Sequence, residues 1–262
     1  MPRFKLTIEY AGTRYSGWQI QKNARTVQGE IDRAIREIAG GRKFELYGSG
    51  RTDAGVHALA QVAHLDVATN LPPETVRRRV NDELPPDINV VAVEPVTHRF
   101  HARHSAVSRS YLYQISTRRT AFGKALVWWV REPLDIERMR GAAAVLSGMK
   151  DFQSFSDEDP EEKSTKVLVD EIRIGPAGDL MLIRVSGSHF IWKMVRRIVG
   201  VLAAVGTGDL TLDDVHRFLA AKSGTPAKLT APASGLFLER VYYEGDPRAS
   251  DLVPVLRVVS DR

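Results

Sequence analysis

The order of regular elements in the first hundred residues limits the possible folds of this chain more than any other feature. Residues 3–10 alternate apolar and polar side chains, which predicts a strand. Thr26 is suited to cap an amphipathic helix that runs through Ile38. The same patterns predict strands at 44–47, 61–67 and 88–96 and a helix that opens at 72–73. This β-α-β-β-α-β order is that of the ferredoxin-like arrangement.

The second half of the chain repeats this order more loosely. Its predicted elements are a strand at 106–117, a helix at 134–146, a hairpin of 169–174 with 180–186, helices at 189–205 and 211–221, and a strand at 236–243. We therefore expect an α+β fold of two ferredoxin-like halves, with central antiparallel sheets and an active cleft between them. The expected domains are 1–104, 105–245 and a C-terminal tail at 246–262. The acidic segment 156–166 is expected to be a loop.

The composition excludes several classes of function. The chain has no cysteine, so disulfide scaffolds, thiol nucleophiles, iron–sulfur clusters and cysteine-ligated zinc sites are ruled out. The first residues do not have the apolar core of a secretory signal, and no apolar run approaches the roughly 20 residues that span a bilayer. We expect a cytoplasmic protein with no membrane contact.

Positive charge is concentrated in two acid-free stretches. The chain has 37 Lys and Arg against 32 Asp and Glu. No acidic residue occurs in 95–131, which carries seven arginines and lysines and three histidines, or in 180–208. Such segregation is typical of a polyanion site, most often for nucleic acid, although charge runs are also found on solvated faces.

The segment 48–57 (GSGRTDAGVH) is the strongest candidate for chemistry. Three glycines interleaved with Arg51, Asp53 and His57 are unusual in a simple turn. One interpretation is a tight loop in which Asp53 caps the amides of Gly55 or Val56. The other is a catalytic carboxylate, kept ionised by the nearby Arg51 and able to act as a nucleophile or general base. A phosphate-cradling loop is disfavoured because no Gly-Lys-Ser/Thr follows.

His98, His101 and His104 suggest a metal site only at first sight. Arg99 and Arg103 lie between them and would repel a dication, so a phosphate-contacting stretch is the better interpretation. We therefore predict no metal site. His57 and His64 show no arrangement of carboxylate and nucleophile around them.

Two further side chains are candidates in the second half. Tyr111 and Tyr113 share one face of a predicted strand. They are either core aromatics or a stacking surface for an extruded base. Arg196 lies with Lys193 on one side of an apolar helix, where a half-buried arginine normally has an acidic partner. Asp53 is the partner that we predict.

These motifs together resemble the tRNA pseudouridine synthase A family over nearly the whole chain. The matching segments are 10–19 (YAGTRYSGWQ), 26–28 (TVQ), 50–58 (GRTDAGVHA), 81–85 (NDELP), 100–103 (FHAR), 151–155 (DFQSF), 194–200 (MVRRIVG) and 231–236 (APASGL). One departure is Ser49, where many members have alanine.

The resemblance implies an isomerase that converts uridine to pseudouridine at positions 38–40 of the tRNA anticodon stem-loop. It implies no cofactor, a homodimer, and Asp53 as the catalytic residue. Arg51 is implied to help to flip the base, Tyr111 to pack on the uracil, and Arg196 to pair with the catalytic carboxylate. His57 and Arg103 complete the predicted substrate-binding set.

Two other classes of protein share some of these features. A non-catalytic tRNA-binding protein or chaperone would explain the charge but not a carboxylate in a loop of glycine and arginine, because a carboxylate repels phosphate. A glycoside hydrolase also uses a carboxylate at an anomeric carbon, but it needs a second one about 5–9.5 Å away. No motif supplies that second carboxylate.

Overall fold

The computed structural model describes residues 1–157 and 164–255, which form two compact units. The first unit comprises Met1–Val107 and Phe237–Pro247. The second comprises Ser108–Leu236 and the described residues from Arg248 onward. Most of the predicted loop 156–166 and the end of the predicted tail, 256–262, lie outside the described residues.

The first unit is a mainly antiparallel sheet with two helices. Its elements are β1 (Arg3–Tyr10), α1 (Val27–Ala39), β2 (Phe44–Gly48), β3 (His57–Val67), α2 (Pro73–Glu83), β4 (Ile88–Val96) and β10 (Leu236–Tyr242). Strand β1 lies between β4 and β3, and β2 pairs with the far half of β3. Strand β10 pairs in parallel with the first residues of β3. The sequence therefore predicted the type and order of the six elements from β1 to β4.

Local sequence explains these elements well. The Thr26 hydroxyl accepts a hydrogen bond from Gly29 N and caps α1, and the helix ends at Gly40 in the left-handed conformation. Alternation in β1 buries Phe4, Leu6 and Ile8 in the core. The register places Arg3 opposite Asp66 and Lys5 opposite His64 on the other side of the sheet, which we call the polar face.

The second unit is a mixed unit of sheet and helices. Its elements are β5 (Ser108–Ser116), β6 (Trp128–Trp129), α3 (Ile136–Leu146), β7 (Gly148–Asp151), β8 (Lys166–Ala177), β9 (Leu180–Gly187), α4 (Met194–Thr207), α5 (Leu212–Ala220) and α6 (Thr225–Lys228). The antiparallel strand order is β5-β9-β8-β7, and β6 pairs in parallel with β5. The predicted hairpin of β8 and β9 is confirmed.

Several predicted boundaries are wrong. Strand β3 begins at His57, four residues before the predicted start. The helix predicted from 189 begins only at Met194, because Lys193 has a φ of 62° and interrupts the helical backbone. The short elements β6, β7 and α6 were not predicted.

The segment after Arg248 packs on the sheet of the second unit. The buried Arg184 guanidinium donates to the carbonyl oxygens of Ala249 at 3.4 Å and Asp251 at 2.5 Å. Leu252 packs against the apolar cluster that contains Leu112 and Leu182. In the part of the chain that the structure describes, no helix is both long and apolar enough to cross a bilayer.

Candidate active site

The glycine-rich loop, residues 49–56, joins β2 to β3 and is packed on the N-terminal turn, residues 11–18. Gly55 N donates to Tyr15 O at 3.2 Å, and Trp18 N donates to Thr52 O at 3.1 Å. The Tyr10 hydroxyl lies 2.8 Å from the Thr52 hydroxyl. These long-range bonds fix the backbone on both sides of Asp53.

Two glycines of the N-terminal turn allow this close approach. A Cβ on Gly12 would lie 1.9 Å from Val56 O. Gly17 has a φ of 92°, and a Cβ there would lie 2.5 Å from Thr52 O. Glycine is therefore required at both positions by backbone contact with the loop.

A buried glutamine supports the first half of the loop. Gln61, with 0% exposure, accepts from the Ser49 hydroxyl at 2.8 Å and donates to Gly50 O at 3.1 Å. Ser49 N donates to Val62 O at 2.7 Å. The hydroxyl that distinguishes this chain at Ser49 therefore has a specific partner in the loop.

Asp53 is half-buried at the centre of the loop, and Arg51 is exposed. The capping interpretation assigned the Asp53 carboxylate to the amides of Gly55 or Val56. In the structure, Gly55 N donates to Tyr15 O and Val56 N donates to the backbone carbonyl of Asp53 at 3.1 Å. The two amides therefore have backbone acceptors, while the capping and the catalytic interpretation of Asp53 both stay predictions.

His57 is placed to hold the loop. Its ring is 1% exposed, its Nδ1 accepts a hydrogen bond from Gly12 N at 3.0 Å, and it stacks on Phe237 at 4.8 Å. Because Nδ1 is an acceptor, a neutral ring carries its proton on Nε2. These contacts indicate a positioning role, while direct contact of His57 with substrate stays a prediction.

Arg103 is exposed and lies in a segment that covers part of the polar face. Its backbone N donates to His101 Nδ1 at 3.1 Å, and Ala102 N donates to His64 Nδ1 at 3.2 Å. The rings of His101 and His104 lie 4.3 Å apart. Within the described ranges, no three His, Asp or Glu side chains are grouped as a metal site.

The second unit carries Tyr111 and Arg196. Tyr111 on β5 is half-buried and meets Phe190 edge to face at 5.3 Å. Tyr113 is fully buried, donates to Pro232 O at 2.8 Å, and is therefore a core residue. Arg196 Nε donates to Ala231 O at 2.7 Å, and Ala231 N donates back to Arg196 O at 3.1 Å. These bonds hold the Nε end of the Arg196 guanidinium in place. Its pairing with Asp53 stays a prediction.

Lys193 and Arg197 have an acidic partner of their own. Asp157 accepts from Lys193 Nζ at 3.0 Å and from the buried Arg197 guanidinium. The Arg197 hydrogen bond is the main cause of the lowered pKa of Asp157, and the bond from Lys193 lowers it further. This ion pair joins the beginning of the acidic segment 156–166 to the start of α4.

Comparisons with known proteins identify the family of this chain. A family model described as tRNA pseudouridine synthase matches residues 6–105 and 142–244. The chain belongs to the tRNA pseudouridine synthase family. It is 43% identical over 247 residues to "tRNA pseudouridine synthase A" of Rhodopseudomonas palustris, covering 93% of this chain and 100% of that relative. It is also 43% identical over 248 residues to the protein of that name from Nitrobacter winogradskyi, covering 94% and 97%.

Among solved structures, an archaeal box H/ACA sRNP Nop10-Cbf5 complex matches 82% of this chain and 53% of that chain, at 12% identity and a TM-score of 0.36.

Pseudouridine synthases are isomerases, so this chain is an enzyme. The resemblance identified from the glycine-rich loop and its accompanying motifs is confirmed at the level of the family.

Sequence reasoning missed most of the residues that support the loop in this pseudouridine synthase. Gln61, Asp87 and Phe237 carry no local signal, because each acts on a residue distant in the chain. The Tyr15 hydroxyl, for example, donates to Asp87 at 2.5 Å. Gly12 and Gly17 lie in the segment 10–19 that carries the family resemblance, but only the structure shows which backbone atoms approach them.

Proposed function

We propose that this pseudouridine synthase isomerises uridine to pseudouridine at positions 38–40 of the tRNA anticodon stem-loop, with Asp53 as its catalytic residue. The observation that carries the proposal is the half-buried Asp53 at the centre of the glycine-rich loop, whose backbone is fixed on both sides by hydrogen bonds to the N-terminal turn. The family match gives the reaction class.

The reaction breaks the N1–C1′ bond of the nucleotide and forms a C5–C1′ bond to the same uracil. The proton on C5 is lost to solvent, and N1 gains one, so the composition is unchanged. No oxidant, group donor or metal is needed for this balance, which agrees with the prediction of no cofactor. Asp53 can act on the sugar or on the base as a nucleophile or general base.

The other site residues have supporting roles in this proposal. The target base must leave its stack, at a cost of a few kcal/mol, and Arg51 helps to extrude it. Tyr111 then packs on the uracil, while Arg196 pairs with the Asp53 carboxylate and keeps it ionised. Arg103 contacts RNA phosphate. His57, the residue that follows the loop, also belongs to the proposed substrate-binding set.

The assembly is part of the same proposal. We expect a homodimer in which both subunits contact one tRNA, and a ferredoxin-like arrangement in both halves of each subunit. Sedimentation of the protein alone and with tRNA tests the first point. A monomeric protein that is fully active at all concentrations would contradict it.

Tritium release tests the catalytic role of Asp53. A tRNA transcript carrying [5-³H]uridine is incubated with wild type, Asp53→Asn and the control Asp82→Asn, which alters an exposed residue of α2. We expect release with wild type and with Asp82→Asn, and none with Asp53→Asn. Release by Asp53→Asn at the wild-type rate would eliminate Asp53 as the catalytic residue.

The same assay separates the proposal from its alternative. A non-catalytic tRNA-binding protein would bind the transcript and release no tritium with any variant. Transcripts whose uridines at 38–40 are replaced by other nucleotides test the positions. Undiminished release from such transcripts would show that the enzyme modifies uridine elsewhere.

A further inference from the structure

The polar face of the first unit carries a group of aromatic rings outside the glycine-rich loop. Tyr47 on β2 is 50% exposed, yet its ring stacks on the buried His64 of β3 at 5.2 Å and 20°. His64 meets His101 edge-on at 4.6 Å, and His101 lies 4.3 Å from His104. We call these four residues the Tyr47 platform.

The histidines of this group offer aromatic surface more than charge. Nδ1 of His64 accepts from Ala102 N, and Nδ1 of His101 accepts from the backbone N of both Arg103 and His104. An accepting nitrogen is unprotonated, so each of these rings is neutral when it holds these bonds. Burial also lowers the pKa of both rings, that of His64 to about 4.

The charges around the rings suit a polyanion at one end of the platform. Arg103 and His104 are exposed beside His101, as are His98 and Arg99 earlier in the same segment. Asp66, on the same face, is held by Arg3 through bonds of 2.8 and 2.5 Å, so its negative charge is compensated. Glu45 is exposed at the other end, two residues before Tyr47, where a carboxylate disfavours a phosphate.

The platform is continuous with the glycine-rich loop. Tyr47 immediately precedes the last residue of β2, and the loop begins at Ser49. Arg51 is four residues beyond Tyr47, at most about 13 Å along an extended chain. An RNA whose target uridine reaches the loop therefore has neighbouring nucleotides within reach of Tyr47.

We propose that the Tyr47 platform stacks an unpaired nucleotide of the tRNA close to the target uridine, with Arg103 and His104 beside its phosphate. This inference rests on the proposed RNA substrate and adds a binding site outside the catalytic loop. The stack on His64 holds the Tyr47 ring in place before RNA arrives, so little side-chain freedom is lost on binding. Stacking of this kind tolerates different bases, because every base has a π-face.

Equilibrium binding of unmodified tRNA transcript at several salt concentrations tests the platform. Tyr47→Ala should weaken binding by about 5- to 150-fold, the range typical of loss of one base–aromatic stack. Because stacking releases no counterions, the slope of log Kd against log salt should stay at the wild-type value. Tyr47→Phe should bind like wild type, and Glu45→Gln, on the same strand face, should bind as well or better.

Two further measurements distinguish failure of the stacking proposal from failure of the proposed catalytic function and from misfolding of the variant. At saturating tRNA, Tyr47→Ala should release tritium at close to the wild-type rate, since the loss lies in binding. A transcript containing 4-thiouridine, irradiated on the wild-type enzyme, should crosslink at Tyr47. Binding by a folded Tyr47→Ala within twofold of wild type, or no crosslink at Tyr47, would overturn the platform even if wild type is fully active.

Discussion

At the scale of single residues, the glycine-rich loop depends on side chains that take no part in chemistry. Gln61 is the clearest case, because one buried amide serves Ser49, Gly50 and Val62 at once. A buried polar group that loses its partner costs more than the bond itself contributes. Residues of this kind determine how firmly Asp53 is held.

Gln61→Met should therefore weaken both the fold and catalysis. The change keeps the volume of the side chain but leaves the Gly50 carbonyl and the Ser49 hydroxyl without their partner. We expect a loss of about 1–3 kcal/mol in the free energy of unfolding, measured by urea denaturation. We also expect a lower kcat at saturating tRNA. Ser49→Ala leaves the bonds of Gln61 to Gly50 and Val62 in place and should cost less. Equal losses for the two variants would argue against this network.

His64 makes stability depend on pH. Its folded pKa, lowered mainly by burial to about 4, lies below the ordinary value of 6.5. Between these values the unfolded chain binds the proton that the folded chain excludes, so stability falls as pH drops from 6.5 towards 4. The slope from this group is about 1.4 kcal/mol per pH unit.

The variant His64→Asn isolates this effect. Asparagine retains an acceptor for Ala102 N but does not titrate. Unfolding free energies of wild type and variant should converge as pH falls from 6.5 towards 4, with the wild type showing the steeper decline. Parallel pH profiles would mean that His64 is not the group responsible.

At the scale of elements, the junction between the N-terminal turn and the glycine-rich loop is the least tolerant contact of the site. Gly12→Ala would place a Cβ 1.9 Å from Val56 O, so backbone must move. We expect a loss of stability of about 1–3 kcal/mol and a fall in kcat larger than the change in Kd for tRNA. Gly224→Ala is the matched control, since nothing lies within 4 Å of its added Cβ. A Gly12→Ala enzyme as stable and active as this control would contradict the packing.

The sequence predicted elements whose periodicity is local and missed those set by distant contacts. Strand β1 and helix α1 were predicted because alternation and an N-cap are visible in a short window. The first four residues of β3 were missed, and the first two of them, His57 and Ala58, pair with β10 residues 180 positions away in the chain. The left-handed Lys193 has no sequence signature, so the start of α4 was placed too early.

The same limit applies to the site. Arg51, Asp53 and His57 were found because they are crowded into one loop with three glycines. Gln61 and Asp87 were not found, because their roles depend on Ser49 and Tyr15, which lie 12 and 72 positions away. Nothing in the sequence distinguishes Tyr47 from other strand residues, because its stack on His64 depends on the pairing of β2 with β3.

At the scale of the whole molecule, the distribution of charge predicts how tRNA binding responds to salt. Each RNA phosphate neutralised by Lys or Arg releases counterions, so log Kd should rise steeply with log salt. The acid-free stretch 95–131 supplies the exposed Arg99 and Arg103 for such contacts. Binding that does not change with salt would exclude a basic RNA surface altogether.

Single charge removals show which arginines take part. Arg99→Ala and Arg103→Ala should each weaken binding and reduce the salt slope by about 0.7–0.9, the value for one lost phosphate contact. Arg36→Ala is the control, because Arg36 is exposed on α1 and paired with Asp32 at 2.6 Å. It should leave both Kd and slope unchanged. Since Tyr47→Ala is expected to weaken binding at constant slope, the two kinds of variant together separate the phosphate contacts of this enzyme from its stacking contact. A salt slope lowered equally by Arg36→Ala would instead assign the effect to net charge alone.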